Sequence, residues 1–351
     1  MRNPIPRLWL LLLLAALAYA AAAQAEPPLR WRGDSTTARS LAESLAKAWQ
    51  RSGQGRMEVQ PFNTISGIDE AISGQVDIAG SARPAFAKRS QESELTFTPV
   101  AWDALVMIEH PNNPVRNITL RQLYNIYWGK ITNWSQLGGR NAPINLYSIA
   151  SPLDGVEYSL RRLLYGSGDV NVAAPRLYLN TQQLEVAVSL DPDGLGVSTL
   201  SNVFANPKLR MLDIEGVRPS VANLADGSYP LYTPLYFATN PDDPHAAAVS
   251  RLMSFISTPR AQAIMREHML IPYADAAALA QREGQRRSWI AARINGESTP
   301  VAMNGPVAAP GATYSQGTSI APTSPLTEQA RQRRLKQRAR DKAAADDDSG
   351  G

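Results

Sequence analysis

Two stretches of the sequence place glycine and hydroxyl side chains at the start of a predicted helix. They are Gly33-Asp34-Ser35-Thr36-Thr37 and Asn63-Thr64-Ile65-Ser66-Gly67-Ile68. A helix N-terminus presents unpaired backbone N–H groups and the positive end of the helix dipole, so such loops can hold an oxyanion. The same residue types also serve as plain N-caps, as Asp34 or Ser35 would for the first helix. The residues alone leave both interpretations open.

No set of residues in the sequence has the spacing of a catalytic or metal site. The histidines His110, His245 and His268 are scattered, and none pairs at metal-ligand spacing with another histidine or a carboxylate motif. The chain has no cysteine, which excludes disulfides and thiolate chemistry. A nucleophile elbow, a P-loop and a dinucleotide glycine pattern are also missing. We therefore expect no enzyme activity, no cofactor and no metal.

Residues 29–273 read as strands alternating with helices. Leu29–Arg32 and Met57–Gln60 alternate like strands, and Ser35–Arg51 between them has apolar residues at helical spacing. Ile68–Ser73 and Val76–Ala79 continue the alternation, which favours a parallel sheet with helices on its faces. Further strands are predicted at Val100–Glu109, Ile144–Ser148, Leu195–Ser198, Leu209–Ile214 and Pro234–Ala238. Further helices are predicted at Leu120–Tyr127, Gly155–Tyr165, Gln182–Leu190, Ala246–Ile256 and Pro259–Glu267.

The first 25 residues predict a cleaved signal peptide. Arg2 and Arg7 precede the apolar run Leu8–Ala23, and Ala23-Gln24-Ala25 then offers small residues before Glu26. The apolar run is shorter than the about 20 residues that a membrane span needs, although a retained anchor is the alternative. We expect a periplasmic or secreted protein that is not a lipoprotein, because it lacks a cysteine to carry the lipid.

The last part of the chain differs from the rest in composition. Ala274–Ile294 predicts one additional helix, and residues 295–351 predict a disordered, low-complexity tail. Within the tail, Glu328–Lys342 carries seven lysine or arginine residues against two acidic ones. Export excludes nucleic acid as a partner, so this basic segment would contact acidic lipid headgroups, cell-wall polymers or an acidic partner, or would simply be solvated.

Three segments resemble the phosphate-binding periplasmic proteins of ABC uptake systems. Ile118–Trp134 ends in Trp128-Gly129-Lys130-Ile131-Thr132-Asn133-Trp134, which is similar to the family's helix and Gly-Lys-Ile-Thr-Asn-Trp turn. Asp77-Ile78-Ala79-Gly80-Ser81-Ala82-Arg83 resembles its Asp-Ile-(Ala/Gly)-x-Ser-x-Arg motif, and Ser257-Thr258-Pro259-Arg260-Ala261-Gln262 its terminal helix. The resemblance covers about residues 29–273.

The resemblance implies an α/β, two-lobed periplasmic-binding-protein-like fold of type II. Each lobe would be a mixed or mostly parallel sheet flanked by helices, with the ligand in the cleft between the lobes. Residues 26–103 and 195–273 would form lobe 1, and residues 104–194 lobe 2. The implied ligand-binding residues are Ser35, Thr36, Thr37, Thr64, Ser66, Ser81, Arg83, Asp154 and Gly155. For Arg83, packing between the lobes and lining of the cleft are both open.

The predicted anion site departs from the family pattern in the loop Leu153–Val156 and at Ala82. Where the family has Gly-Ser-Gly-Thr, this chain has Leu153-Asp154-Gly155-Val156, and where many members have an acidic residue it has Ala82. A carboxylate at about 4 Å from a bound anion would repel it by several kcal/mol in a partly buried cleft. Asp34 and Asp154 at facing helix starts would instead favour a ligand with a cationic or hydroxyl-rich part.

The resemblance implies a periplasmic solute-binding protein that captures phosphate or a related anion for an ABC importer. The alternatives are a binder of a different small ligand and a cell-envelope interaction protein on the same scaffold that does not serve transport. We expect a monomer whose partners are the small anion and an ABC permease or an envelope component, with membrane contact that is at most peripheral.

Overall fold

One long strand connects the two halves of the molecule. In the computed structural model, which describes residues 26–295, β4 (Thr96–Glu109) is buried along most of its length. Its first half pairs antiparallel with β11 (Tyr232–Thr239), and its second half pairs antiparallel with β8 (Gly194–Thr199). Because the strand is apolar from Val100 to Ile108 apart from Asp103, it can be covered on both faces. The predicted signal peptide and tail lie outside the described residues.

The remaining elements are short. The other strands are β1 (Leu29–Asp34), β2 (Met57–Phe62), β3 (Ile78–Ser81), β5 (Asn117–Ile118), β6 (Asn145–Ile149), β7 (Arg176–Tyr178), β9 (Arg210–Met211), β10 (Asp213–Ile214) and β12 (Ile271–Pro272). Helix α1 is one run made of Ser35–Thr37, the π-helical Ala38–Ala42 and Glu43–Arg51. The other α-helices are α2 (Thr64–Ile72), α3 (Leu120–Tyr127), α4 (Gly155–Tyr165), α5 (Thr181–Val188), α6 (Leu200–Val203), α7 (Val221–Ala225), α8 (Ala246–Ile256), α9 (Pro259–Glu267), α10 (Ala277–Gln281) and α11 (Glu283–Asn295). Short 3₁₀ helices lie at Ser90–Glu94, Trp134–Leu137 and Tyr273–Ala276.

Lobe 1 is a mixed sheet in the order β2-β1-β3-β11-β4, with β12 on the other side of β4. The strands β1, β2 and β3 are parallel, as the alternating pattern predicts, and β11 returns antiparallel. The first strand was predicted to end at Arg32, but Gly33 also lies inside β1. A side chain there would meet the carbonyl oxygen of Gly80 at 2.4 Å, so the residue allows β1 and β3 to approach closely.

Lobe 2 is a sheet in the order β4-β8-β6-β7, flanked by α4 and α5. Strands β8 and β6 are parallel, and so are β6 and β7. The Lys130–Trp134 turn closes one end of this lobe, where the indole Nε1 of the buried Trp134 donates to the carbonyl of Asp193 at 3.0 Å. The two-lobed α/β fold that the sequence predicts is therefore confirmed.

The boundary between the lobes differs from the expected one. Residue 195 was predicted to begin the return to lobe 1, but β8 and β9 pair with the second half of β4, and β10 pairs with β5. The chain returns to lobe 1 only at Tyr232, where β11 begins to pair with Ala104. The sequence could not reveal this, because strand pairing joins residues that are far apart in the chain.

The segment after β12 forms two helices where one was predicted. Helix α11 packs against α3 and α4 of lobe 2, with Ile290 and Ile294 buried. Its Arg286 donates to the carbonyls of Pro230 and Tyr232, where the chain crosses between the lobes. Within residues 26–295, no helix is both long enough and apolar enough to cross a membrane.

Candidate ligand site in the interlobe cleft

Three helix starts meet where the two lobes face each other. They are the starts of α1 and α2 in lobe 1 and of α4 in lobe 2. The hydroxyl of Thr64 accepts a hydrogen bond from the backbone N–H of Gly155 at 2.9 Å, which joins the lobes. A side chain at Gly155 would lie 2.7 Å from the backbone nitrogen of Ala82. The cleft is therefore closed, and only glycine permits this approach.

Asp34 is the N-cap of α1. Its carboxylate accepts from the backbone N–H and the hydroxyl of Thr37, at 2.7 and 3.1 Å, and from the backbone N–H of Ala82 at 3.0 Å. Burial raises the pKa of this carboxyl, and the bonds from Thr37 and Ala82 oppose the rise. The capping interpretation thus holds for Asp34, and the hydroxyl of Thr37, a predicted ligand residue, is used within the cap.

Ser35 and Thr36 are both buried at the start of α1. The Thr36 hydroxyl is fully enclosed, and it forms no hydrogen bond with any group of residues 26–295. The Thr36 carbonyl accepts instead from the Ser40 hydroxyl at 2.8 Å and from the Asn202 amide at 3.3 Å. A buried hydroxyl normally finds a partner, so Thr36 is a predicted residue whose polar group is available to a ligand.

Asp154 stands at the N-cap position of α4, in front of α1. The residue is 1% exposed, and neither carboxylate oxygen has a hydrogen-bond partner in the described part of the chain. Burial raises the pKa of this carboxyl well above its ordinary value, and the charges of Asp34 and Glu157 raise it further, while Arg83 and the backbone N–H of Val156 oppose them. An ionised carboxylate with so little hydrogen bonding is expensive in such a place, so the neutral acid is the favoured form.

Arg83 is fully buried and its donors are occupied by the protein. Its two terminal nitrogens bind the carboxylate of Glu92 at 2.8 and 2.7 Å, and its Nε donates to the carbonyl of Leu153 at 2.9 Å across the cleft. The hydroxyl of Ser81 donates to the Arg83 carbonyl at 2.8 Å. Of the two roles open for Arg83, these contacts favour packing between the lobes, and Ser81 likewise has a structural bond.

The second loop is capped by Asn63, which the sequence did not single out. The Asn63 side chain accepts from the backbone N–H of Ser66 at 2.9 Å. The Ser66 hydroxyl donates to the Asn63 carbonyl at 3.2 Å and accepts from Arg32 at 3.4 Å. Ser66 is therefore half-buried within its own turn, whereas Thr64 reaches across to Gly155.

Sequence reasoning missed a polar cluster beside the first loop. Asp103 of β4 accepts from the hydroxyl of Ser201, 98 residues later, and from its backbone N–H at 3.3 Å. Asn202 connects this cluster to α1, because its amide donates to Thr199 at 3.0 Å as well as to Thr36. Burial raises the pKa of Asp103 to about 7, against the effect of Ser201 and Thr199. The hydroxyl-rich run Ser198-Thr199-Leu200-Ser201-Asn202 after a strand was the available signal.

One histidine does meet carboxylates in the folded chain. The ring nitrogen Nδ1 of His245 lies 2.8 Å from Asp77, and the His245 backbone N–H donates to Asp243 at 2.6 Å. These three residues are close enough to hold a metal ion. Asp77 also accepts from the backbone N–H of Arg30, so hydrogen bonds alone account for the arrangement. The spacing of the three residues in sequence gave no sign of it.

Residues 20–164 match the family model of the PBP superfamily domain. The chain is 27% identical over 257 residues to protein SphX of Synechococcus elongatus, which covers 67% of this chain and 74% of that protein. It is 25% identical over 205 residues to the phosphate-binding protein PstS of Bacillus subtilis, which covers 57% of this chain and 66% of that one. These matches confirm the resemblance that the sequence motifs indicate.

A solved structure has the same fold. The crystal structure of an ABC-type phosphate transport receptor from Vibrio cholerae is 26% identical in sequence and has a TM-score of 0.55. The similarity covers 69% of this chain and 99% of the receptor. The two lobes and the cleft described above thus correspond to almost the whole of that receptor.

Proposed function

We propose that the chain, which is similar to the PBP superfamily domain over residues 20–164 and to phosphate-binding proteins, captures phosphate or a related oxyanion for an ABC importer. The supporting observation is the meeting of three helix starts at one closed cleft, with the Thr36 hydroxyl buried beside them and unpartnered. Backbone N–H groups, helix dipoles and hydroxyls together favour an oxyanion at this place.

Asp154 is the residue that this proposal must accommodate. An ionised carboxylate here would repel the anion, but a neutral carboxylic acid has an O–H that can donate to it. Burial and the neighbouring charge of Asp34 both act to keep the proton on Asp154. We assign Asp34, which already accepts three hydrogen bonds, as the ionised partner, and Asp154 as the neutral one. The carboxylic acid then replaces the family's serine as a donor.

The proposal includes the periplasm as the place of action and an ABC permease as the partner. The basic and apolar N-terminus supports export, and the relatives named above support a transport role. The function needs no catalytic step. A cell-envelope protein without a transport role would have no need of the closed cleft with an unpartnered buried hydroxyl.

Isothermal titration calorimetry with phosphate on the full chain tests the proposal. We expect binding in the wild type and a loss of at least about tenfold in affinity for Gly155→Ala, since the added methyl group must push Ala82 away and open the cleft. Gly284→Ala is the matched control, because a side chain at that helical position meets no atom.

The proposal is wrong if neither phosphate nor any other inorganic oxyanion releases or absorbs heat on mixing. It is also wrong if Gly155→Ala binds phosphate as tightly as Gly284→Ala does. Thermal melting of each variant separates a change in binding from a loss of folded protein.

A further inference from the structure

A second cavity lies beside the cleft, at the junction of both lobes and the C-terminal helices. Its volume is about 240 Å³. Lobe 1 contributes Trp102 and the β11 residues, lobe 2 contributes Arg162 of α4, and the segment after β12 contributes Arg286 of α11. The carbonyl of Ala82 separates this cavity from the ligand cleft, since it accepts from Ser159 on the cavity side at 2.7 Å.

The cavity has aromatic walls. The Trp102 ring stacks on Tyr273 with 4.9 Å between ring centroids, and it meets the edge of Tyr232 at 5.7 Å. The guanidinium of Arg286 lies 3.5 Å over the Tyr232 ring. Flat surfaces of this kind accept a planar or compact apolar group, and buried aromatic rings contribute much of the binding energy where ligands dock.

The charges in the cavity are unbalanced. Arg286 is paired with Glu283, but Arg162 forms no ion pair with any carboxylate of residues 26–295. Arg162 is near enough to Arg286 to lower its pKa, in addition to the larger effect of burial, and it opposes the rise in the pKa of Tyr236 that burial causes. The half-enclosed space thus holds two guanidinium groups but one carboxylate, which is bound by Arg286 alone, so a further anion would offset the excess positive charge.

We propose that this cavity is a second binding site, distinct from the cleft, for a small organic anion with a planar apolar body and a carboxylate. The aromatic walls would hold the body, and Arg162 would bind the carboxylate with its planar pair of N–H donors. The hydroxyl group of Tyr236 borders the same space and can donate to the carboxylate. The size of the cavity limits the ligand to about that of a single-ring acid.

Saturation-transfer NMR on the full chain, with benzoate as the probe and neutral benzamide as its isosteric control, tests this site. We expect benzoate to bind, benzamide to bind at least about tenfold more weakly, and Arg162→Gln to lose about the same factor for benzoate. Arg121→Gln, an exposed arginine on α3, is the matched control and should bind benzoate like the wild type. Saturating phosphate should leave benzoate binding in place.

Several results would overturn the proposal. They are the absence of benzoate binding at millimolar concentration, equal binding of benzoate and benzamide, full binding by Arg162→Gln, and displacement of benzoate by phosphate. Should Arg162→Gln melt well below the wild type, Tyr236→Phe provides the second variant, with a smaller loss expected. Because the phosphate titration is measured separately, failure of this site leaves the cleft proposal unaffected.

Discussion

Buried ionisable side chains occur in two contrasting settings on either side of the cleft. Arg83 and Glu92 are both buried, and they bind each other through two hydrogen bonds of 2.8 and 2.7 Å. Asp154, also fully buried, has no hydrogen bond of normal geometry, only the weak influence of the Val156 backbone N–H, and it faces another acid, Asp34. A third acid, Glu157, lies one turn after Asp154 on the same helix and is bound by Arg161 at 3.1 Å.

This difference in hydrogen bonding separates ionisable groups that hold the structure together from those available to a ligand. A buried ion pair with its hydrogen bonds complete holds two segments together and has little left to offer. A buried polar group without partners is a cost to folding, and a ligand is one of the things that can complete it. Asp154 and Thr36 are such groups at the meeting of the helix starts, so we propose them as ligand residues, with Arg83 and Ser81 as their structural support.

The largest change in stability is expected when the ion pair of Arg83 and Glu92 is broken. Glu92→Gln leaves the Arg83 charge buried without its counter-charge, so we expect the free energy of unfolding to fall by about 3–5 kcal/mol. Urea denaturation at neutral pH measures this. Glu58→Gln on β2 removes an exposed carboxylate and should change stability by about 0.5 kcal/mol or less. Similar values for the two variants would contradict the structural role of the pair.

Asp154→Asn is expected to increase stability, by less than Glu92→Gln decreases it. The raised pKa of Asp154 means that folding takes up a proton at neutral pH, so stability is lost as pH rises above the ordinary range of a carboxyl. Asparagine has no such requirement, and we expect it to raise the free energy of unfolding by about 1–3 kcal/mol at neutral pH. The gain should shrink towards pH 4 in urea titrations. A loss of stability that is independent of pH would refute the neutral-acid assignment.

The smallest expected effect is the contribution of Asp103 to the change of folding stability with pH. Its folded pKa is about 7, well above the unfolded value, so between pH 5 and pH 6 the folded form holds a proton that the unfolded form has released. The wild type should therefore lose about 1.4 kcal/mol of stability over that unit of pH because of this one group. Asp103→Asn should lack this contribution, as parallel urea titrations at the two pH values would measure. Equal slopes in the two proteins would show that Asp103 is ionised in the fold.

Much of the local structure could be predicted, because its causes lie within a few residues. Thr119 and Gln122 cap α3 reciprocally, and Thr258 caps α9 with Pro259 in the first turn, where a missing N–H is harmless. The observed bounds of α8 and α9 are those expected from the pattern. The motif ending at Trp134 indicated the fold family in the same way, because its residues are contiguous in the chain.

The tertiary structure alone decided which polar groups are paired. Asp34 and Asp154 are 120 positions apart, and nothing near either one in the sequence shows that they face each other while Asp34 alone receives three well-formed hydrogen bonds. The same holds for Asp103 with Ser201, and for the return to lobe 1 at Tyr232. Periodicity, caps and turns act over short distances and fix the elements. Strand pairing and the approach of Gly155 to Ala82 act between distant segments, and they determine which acid in the cleft keeps its proton.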